Sequence, residues 1–194
     1  MSNALQVLGG YGYTVDFPLE QLYRDARIYP VYEGTNGIQA LALLGRQVLM
    51  NDGEGLKLWL EEVGKEMNAD FSSALQPYVS RLQHEIENWQ EVTTQLLKLK
   101  DEKGTECFIA DANLYLELFA ILNVSWQWLR MARLAEGALL NGSLSGDQKL
   151  FYRSKIVTMK CYFDYELVKC EALAKQLKNK EKHTLFGGDE EVII

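Results

Sequence analysis

Hydrophobic residues after position 52 recur at intervals of three or four, which is the spacing of one face of an α-helix. In the first long segment, this apolar face consists of Phe71, Leu75, Tyr78, Leu82, Ile86, Trp89, Leu96 and Leu99. Charged residues lie between these positions, and a polar run that ends at Gly104 follows them. The pattern predicts one long amphipathic helix with a glycine stop.

Two further segments have helical patterns. Residues 107–140 are apolar almost all round, which is typical of a helix packed on several sides, and Gly142 is placed to cap its end. The last segment begins near Gly146 and repeats apolar residues at helical spacing through Leu177. We expect the tail, residues 186–194, to be extended. Three long helices with short connections predict an up-down helical bundle and an all-α fold class.

Residues 1–50 have a different character. Short helical pieces alternate there with loops, and two of the three prolines, Pro18 and Pro30, fall in this region. We therefore predict two regions, 1–50 and 51–194. The aromatic and methionine positions of the second region are predicted core residues, so candidate chemistry is sought in the first.

The net charge and the cysteine pattern indicate which partners and metal sites to expect. The chain has 27 acidic and 20 basic residues and a net charge of −7, which does not suit a nucleic-acid partner. The three cysteines form no C-x-x-C pair, and with two histidines they offer no zinc site, so no metal is expected. We expect Cys107, Cys161 and Cys170 each to be a small buried hydrophobe in a reducing, cytoplasmic setting.

The most apolar stretch, residues 108–128, has the length of a membrane span. It contains Asp111 and Glu117, and ionised side chains are costly at membrane depth. The stretch therefore predicts a buried core helix and no membrane span.

The first candidate motif is a glycine cluster, Gly9, Gly10 and Gly12. Glycine permits positive φ and close backbone approach, so the cluster predicts either a simple helix stop or a place where a ligand comes close. Pro18 then predicts the start of a helix. Arg24, Asp25 and Arg27 on that helix favour a structural ion pair, either local or with a neighbouring element.

The second candidate motif surrounds Glu33. Thr35 is a suitable N-cap for a following helix, and Gly34 precedes it. The start of a helix offers free N–H groups that suit a phosphate or carbonyl oxygen. By itself, Glu33 is either a surface acid that stabilises the helix dipole or a functional carboxylate.

Three ordered motifs together resemble the C-terminal helical domain of the flavin-dependent acyl-CoA dehydrogenase family. The family pattern is Gln-x-x-Gly-Gly-x-Gly, then Arg-Asp-Ala, then Tyr-Glu-Gly-Thr-x-x-Ile-Gln. It is matched by Gln6, Gly9, Gly10, Gly12, Arg24, Asp25, Ala26, Tyr32, Glu33, Gly34, Thr35, Ile38 and Gln39. The run after Thr35 and the long helical extension resemble the larger members, including those that act on 3-methylmercaptopropionyl-CoA.

The resemblance implies roles for Glu33 and Gly34. Glu33 would be the catalytic base that removes the α-proton of an acyl-CoA thioester, while hydride leaves the β-carbon for flavin N5. Its backbone N–H would donate to the thioester oxygen, and Gly34 would lie against the substrate.

The resemblance also implies how FAD is bound. Gln6 and Gly10 would reach the FAD of a neighbouring subunit, and Thr35 would hold the cofactor near its pyrophosphate. Several members carry a polar Gln or Glu where this chain has Gly37, so only the backbone of Gly37 is available to contact FAD.

Further expectations concern the partners and completeness of the protein. The resemblance implies an acyl-CoA substrate, electron-transfer flavoprotein or a similar acceptor, and a homo-oligomer. Because the resemblance places the β-domain and most of the acyl-CoA pocket outside this chain, we expect a C-terminal fragment that neither retains FAD nor dehydrogenates by itself. An acyl-CoA oxidase fragment and a non-catalytic helical module for oligomerisation or docking remain alternatives.

Overall fold

The computed structural model describes residues 2–140 and 143–185. Every regular element in these ranges is helical, which confirms the predicted all-α fold class. The cap predicted at Gly142 and the tail predicted for residues 186–194 lie outside the described ranges. The chain forms two compact units, Met1–Gln39 and Ala40–Ile194. The division at residue 50, which was based on composition and on the change from short to long helical segments, stays a prediction.

The first unit consists of short helices. Helix α1 (Ser2–Val7) leads into a 3-10 turn (Gly9–Tyr13), and α2 (Leu19–Arg27) follows. Pro18 directly precedes α2, and its carbonyl accepts a hydrogen bond from the N–H of Leu22 at 3.1 Å. Within α2, Arg24 pairs with Glu20 at 3.0 Å. The predicted proline start is therefore confirmed, and for Arg24 the predicted ion pair takes its local form.

The second unit is a helical bundle. Helix α3 (Asn36–Ala42) begins in the first unit and ends in the second, where a π turn (Leu43–Gln47) and a 3-10 turn (Met50–Gly53) follow it along the chain. The helices that follow are α4 (Glu54–Met67), α5 (Gln76–Lys103), α6 (Thr105–Ile109), α7 (Ala112–Leu140), α8 (Gly146–Tyr162) and α9 (Lys169–Leu177), with a π turn at Phe163–Leu167 between the last two.

The bundle differs from the prediction of three long helices. Helix α4 was not predicted; its Gly55 and Gly64 lower helix propensity, but its apolar face, which includes Trp59 and Val63, packs on the core. The second predicted segment is broken at Ala110 and Asp111, and a π turn interrupts the third. Tertiary packing decides these breaks, and the hydrophobic period alone did not reveal them.

An aromatic cluster occupies the core of the bundle. Trp89 of α5 lies 5.2 Å from Trp59 of α4 and 5.3 Å from Phe119 of α7, measured between ring centroids. Thr93, one turn after Trp89, shares a 2.9 Å hydrogen bond with the hydroxyl of Tyr115. Burial raises the pKa of Tyr115 to about 12. Aromatic contacts and a satisfied buried hydroxyl pair thus join α4, α5 and α7.

One ion pair connects the segment after α9 to the start of α7. The ammonium group of Lys182 lies 2.8 Å from a carboxylate oxygen of Asp111 and also donates to the carbonyl of Leu177 at 3.1 Å. The backbone carbonyl of Asp111 accepts from the N–H groups of Leu114 and Tyr115. Asp111, which argued against a membrane span, therefore anchors a helix start.

The cysteine prediction holds for one residue of three. Cys170 is buried, Cys107 is half-buried and Cys161 is exposed. Cys161 lies on the outer side of α8, so the expectation of a buried thiol is wrong there. Within residues 2–140 and 143–185, no helix combines the length and the apolar character that crossing a bilayer requires.

Candidate functional site

The loop before α3 carries the residues of the second motif and has an unusual backbone. Glu33 has φ +55° and Gly34 has φ +102°. Residues other than glycine rarely adopt this left-handed backbone conformation, so Glu33 is held in a conformation that costs about 1–2 kcal/mol. Backbone strain of this kind persists only where surrounding contacts determine it.

Three hydrogen bonds supply those contacts. The N–H of Asn36 donates to the carbonyl of Pro30 at 3.1 Å and closes the loop. The N–H of Gln39 donates to the carbonyl of Thr35 at 3.0 Å, which places Thr35 at the predicted N-cap position. The side-chain amide of Gln39 donates through Nε2 to the carbonyl of Glu33. These hydrogen bonds therefore connect the loop to the first turn of α3.

The glycine at position 34 has a reason within this chain. A Cβ atom there would lie 3.1 Å from Cγ2 of Ile38 and 3.4 Å from Nε2 of Gln39. The positive φ disfavours a side chain as well. The approach of Gly34 to substrate thus stays a prediction, because the loop by itself already explains the glycine.

The side chains of this loop face solvent. Glu33 and Thr35 are exposed, Gly37 is half-buried, and Glu33 forms no ion pair with any residue that the structure describes. A carboxylate without a paired cation is available as a proton acceptor. Chemically, the loop offers one free carboxylate on a backbone that is held in place.

The glycine cluster separates into positions with different constraints. Gly9 has φ +57°, and Gly12 is buried with its Cα so close to α1 that a Cβ would overlap the carbonyl of Leu5. Gly10 has neither constraint: its φ is not positive, and a Cβ there would meet nothing within 4 Å. Gln6, on α1, is exposed.

The predicted residues form two groups. Glu33, Gly34, Thr35 and Gly37 lie together around the start of α3, while Gln6 and Gly10 lie on α1 and its 3-10 turn. Among the described residues, no hydrogen bond joins the two groups. Gln39 matches the family pattern, but the sequence alone indicated no role for it. Its amide contact with Glu33 is visible only in the structure.

The first unit exposes an extensive apolar surface. The exposed large hydrophobic residues between positions 2 and 39 are Val7, Tyr11, Tyr13, Val15, Phe17, Leu22, Tyr23, Ile28, Tyr29, Val31, Tyr32 and Ile38. Apolar surface of this density in so short a segment is typical of a region that other protein covers.

The predicted site residues do not line the cavity that the structure shows in the second unit. This cavity has a volume of about 490 Å³ and is lined in part by Leu56, Leu60, Trp89 and Leu97. The part of the chain that the structure describes contains no cluster of three or more His, Cys, Asp or Glu residues suited to a metal ion.

Comparison with known families assigns both parts of the chain. Residues 59–185 match the family described as acetyl-CoA dehydrogenase C-terminal like, and residues 1–49 match the acyl-CoA dehydrogenase C-terminal domain. The helical fold and these two adjacent matches define the class as a helical C-terminal region of a dehydrogenase. The chain belongs to the acyl-CoA dehydrogenase family, which confirms the resemblance that its motifs indicated.

Curated relatives are similar over different lengths. A 3-methylmercaptopropionyl-CoA dehydrogenase of Ruegeria pomeroyi is 32% identical over 173 residues, which cover 88% of this chain and 29% of that protein. A broad-specificity linear acyl-CoA dehydrogenase of Mycobacterium tuberculosis is 25% identical over 162 residues, 80% of this chain and 26% of that protein. A short-chain specific acyl-CoA dehydrogenase of Clostridium acetobutylicum is 49% identical over 45 residues, 23% of this chain and 12% of that protein. The chain thus spans less than a third of each of these relatives.

Proposed function

We propose that this chain supplies part of an acyl-CoA dehydrogenase that forms an α,β double bond in acyl-CoA thioesters, with Glu33 as the base. The observation that carries the proposal is the Glu33 loop: an exposed carboxylate without an ion-pair partner, on a constrained backbone, within a segment matched by the family's C-terminal domain. The relatives named for acyl-CoA substrates support the substrate class.

The chemistry requires a base and a polarised carbonyl. The α-carbon loses a proton to the Glu33 carboxylate, and the electron pair of that C–H bond becomes the new double bond as the β-hydrogen leaves. A carboxylate that bound substrate removes from water becomes more basic, which favours this transfer. The N–H of Glu33 stabilises negative charge on the thioester oxygen.

FAD, when bound, supplies the acceptor for the β-hydrogen and its two electrons. Gly10 fits a cofactor contact, because neither φ nor crowding within this chain requires glycine there, whereas a closely approaching ligand does. Exposed Gln6 and Thr35 leave polar side chains free to donate to the same ligand. The backbone of Gly37 is a further contact that we assign to FAD.

Two glycine substitutions test this assignment. Gly10→Ala is expected to leave the stability of the isolated chain unchanged and to lower the FAD content of the full-length enzyme. Gly12→Ala is expected to destabilise the chain itself by about 1–3 kcal/mol, because its Cβ overlaps the carbonyl of Leu5. Melting by circular dichroism and flavin absorbance measure the two effects. Normal FAD content in the Gly10→Ala enzyme would contradict the contact.

We further propose that the isolated chain neither retains FAD nor turns over acyl-CoA. The support is the exposed apolar surface of the first unit and the small share of each relative that the chain spans. A purified chain that is yellow and active would refute this. In the complete enzyme we assign electron-transfer flavoprotein or a similar acceptor as the partner, in a homo-oligomer.

Replacing the base tests the main proposal in the full-length enzyme. Glu33→Gln keeps the size of the side chain and removes its basicity, so kcat is expected to fall by about 10²–10⁴-fold with FAD content unchanged. The matched control is Glu61→Gln, an exposed glutamate of α4, which is expected to leave kcat unchanged. Turnover that survives Glu33→Gln would remove the catalytic assignment.

The same enzyme distinguishes the alternatives. An acyl-CoA oxidase consumes oxygen without an added electron acceptor, whereas a dehydrogenase requires one. A non-catalytic assembly module is favoured by one observation, the exposed apolar residues Leu150, Phe151 and Val157 along α8. That alternative predicts no turnover in the wild type and a change in oligomeric state when these residues are made polar.

A further inference from the structure

The amide of Gln39 contacts the one residue on which the proposed chemistry depends. It lies at the end of the first turn of α3, six residues after Glu33, and its Nε2 donates to the Glu33 carbonyl. Gln39 is exposed, so its side chain is not held there by burial. The contact is therefore a hydrogen bond between side chain and backbone that core packing does not impose.

The bond opposes a relaxation that the loop would otherwise favour. Glu33 has φ +55°, while Gly34 tolerates either sign of φ. Returning Glu33 to negative φ requires rotation about its N–Cα bond, and this rotation moves the Glu33 carbonyl away from the Gln39 amide, so the hydrogen bond opposes it. That rotation would change the direction of the Glu33 carboxylate relative to the N–H of the same residue.

The chemical type of residue 39 matters for this restraint. A carbonyl oxygen needs a donor, and the amide of glutamine supplies one without charge. An ionised glutamate has the same shape but only accepts, so it would repel the carbonyl; when protonated, it donates again. Leucine has similar bulk and no donor.

We propose that Gln39 is a positioning residue for catalysis: by holding the Glu33 carbonyl, its side-chain amide keeps Glu33 in the left-handed conformation that presents the carboxylate and N–H to substrate. This rests on the proposed function of Glu33. Gln39 acts through Glu33 and does not itself touch the reacting atoms.

The test uses the full-length enzyme with Gln39→Leu and Gln39→Glu. Both variants are expected to lower kcat about tenfold at neutral pH and to change KM less than about twofold, with FAD content unchanged, since a tenfold rate change corresponds to about 1.4 kcal/mol, the scale of one hydrogen bond. Gln47→Leu and Gln47→Glu, at an exposed position of the following π turn, are the controls.

Two readouts separate positioning from a merely structural role. The rate of Gln39→Glu relative to wild type is expected to rise as the pH falls towards about 4.3, where the introduced carboxyl becomes protonated and can donate. In a Glu33→Gln background, Gln39→Leu is expected to lower the residual rate less than about twofold, because the two residues act as one unit.

Each outcome bears on a separate claim. If Glu33→Gln lowers kcat as expected while the Gln39 variants keep the wild-type kcat and pH profile, the positioning role is refuted and the proposed function stands. A tenfold loss that persists in the Glu33→Gln background also refutes it. If Glu33→Gln leaves turnover intact, both claims fall. Because the pH comparison sets Gln39→Glu against wild type and does not need Gln39→Leu, it decides the question even if Gln39→Leu folds poorly.

Discussion

Removing the cation of the Asp111–Lys182 pair is expected to destabilise the second unit. The side chain of Lys182 is 2% exposed and that of Asp111 is 16% exposed, so both charges lie largely out of water. Lys182→Met keeps a long apolar stem and removes the charge. The carboxylate of Asp111 then keeps the hydroxyl of Thr184, at 3.3 Å, as a hydrogen-bond donor.

The magnitude follows from the burial of the two charges. Breaking a buried ion pair by removing one partner costs about 3–5 kcal/mol, because an uncompensated charge stays behind. Asp111 keeps some contact with solvent and with Thr184, so we expect a loss of about 2–3 kcal/mol in the free energy of unfolding. For a chain of this size, that lowers Tm by roughly 4–12 °C.

Lys180 offers a matched control two residues away. Its side chain is 74% exposed and lies 3.8 Å from Glu102. Lys180→Met is therefore expected to cost less than about 0.5 kcal/mol. Both variants are measured by urea unfolding followed by circular dichroism at low and high salt.

The salt dependence and a second variant sharpen the test. Salt screens exposed charges more than buried ones, so the Lys182→Met deficit is expected to persist at high salt. Asp111→Asn combined with Lys182→Met is expected to recover part of the loss, because no unpaired charge then remains. Equal stabilities of the Lys182→Met and Lys180→Met chains would refute the reasoning.

Two further predictions concern Glu85 and the cysteines. Desolvation raises the pKa of Glu85 more than its hydrogen bond with Asn88 lowers it, so the stability linked to its protonated form is present below its unfolded pKa and is lost as pH rises through the raised folded pKa. Glu85→Gln is therefore expected to raise Tm at neutral pH and to leave it unchanged at about pH 3.5. The gain in the free energy of unfolding is expected to be less than about 1 kcal/mol, because the side chain is partly solvated. Equal shifts in Tm at both pH values would contradict this. Exposed Cys161 is expected to react with a thiol reagent at least about 100-fold faster than buried Cys170, whose pKa desolvation raises to about 12. Mass spectrometry of labelled peptides identifies the modified residue, and rapid labelling of Cys170 would show that the core opens.

Much of the helical architecture was predictable because burial of a helix face leaves a period in the sequence. The face through Leu82, Ile86 and Trp89 is buried in α5 as its spacing indicated. Helix α4 was missed, although Trp59 and Val63 follow the same rule. The spacing of apolar residues indicates which face of a helix is buried. It is a weaker indication of the residue at which a helix ends within a continuous apolar pattern.

The motif residues were recognisable from the sequence as a family pattern, but their arrangement in space was not. The order and spacing of its motifs indicated the family, and the comparisons confirmed it. The roles of Glu33 and of the FAD contacts stay proposals. The sequence could not distinguish Gly12, which has no room for a side chain, from Gly10, which has ample room.

By itself, the amino-acid sequence determined the all-α class, most helix faces and the family, since all three depend on residue type and spacing along the chain. The tertiary structure alone decided the left-handed backbone of Glu33, the amide of Gln39 on its carbonyl, and the pairing of Asp111 with Lys182 across 71 positions. These features depend on which groups meet in space after the chain turns. The spacing of apolar residues within one segment determines which helix face is buried. The partner of a hydrogen bond or ion pair between distant residues is determined only when the helices pack.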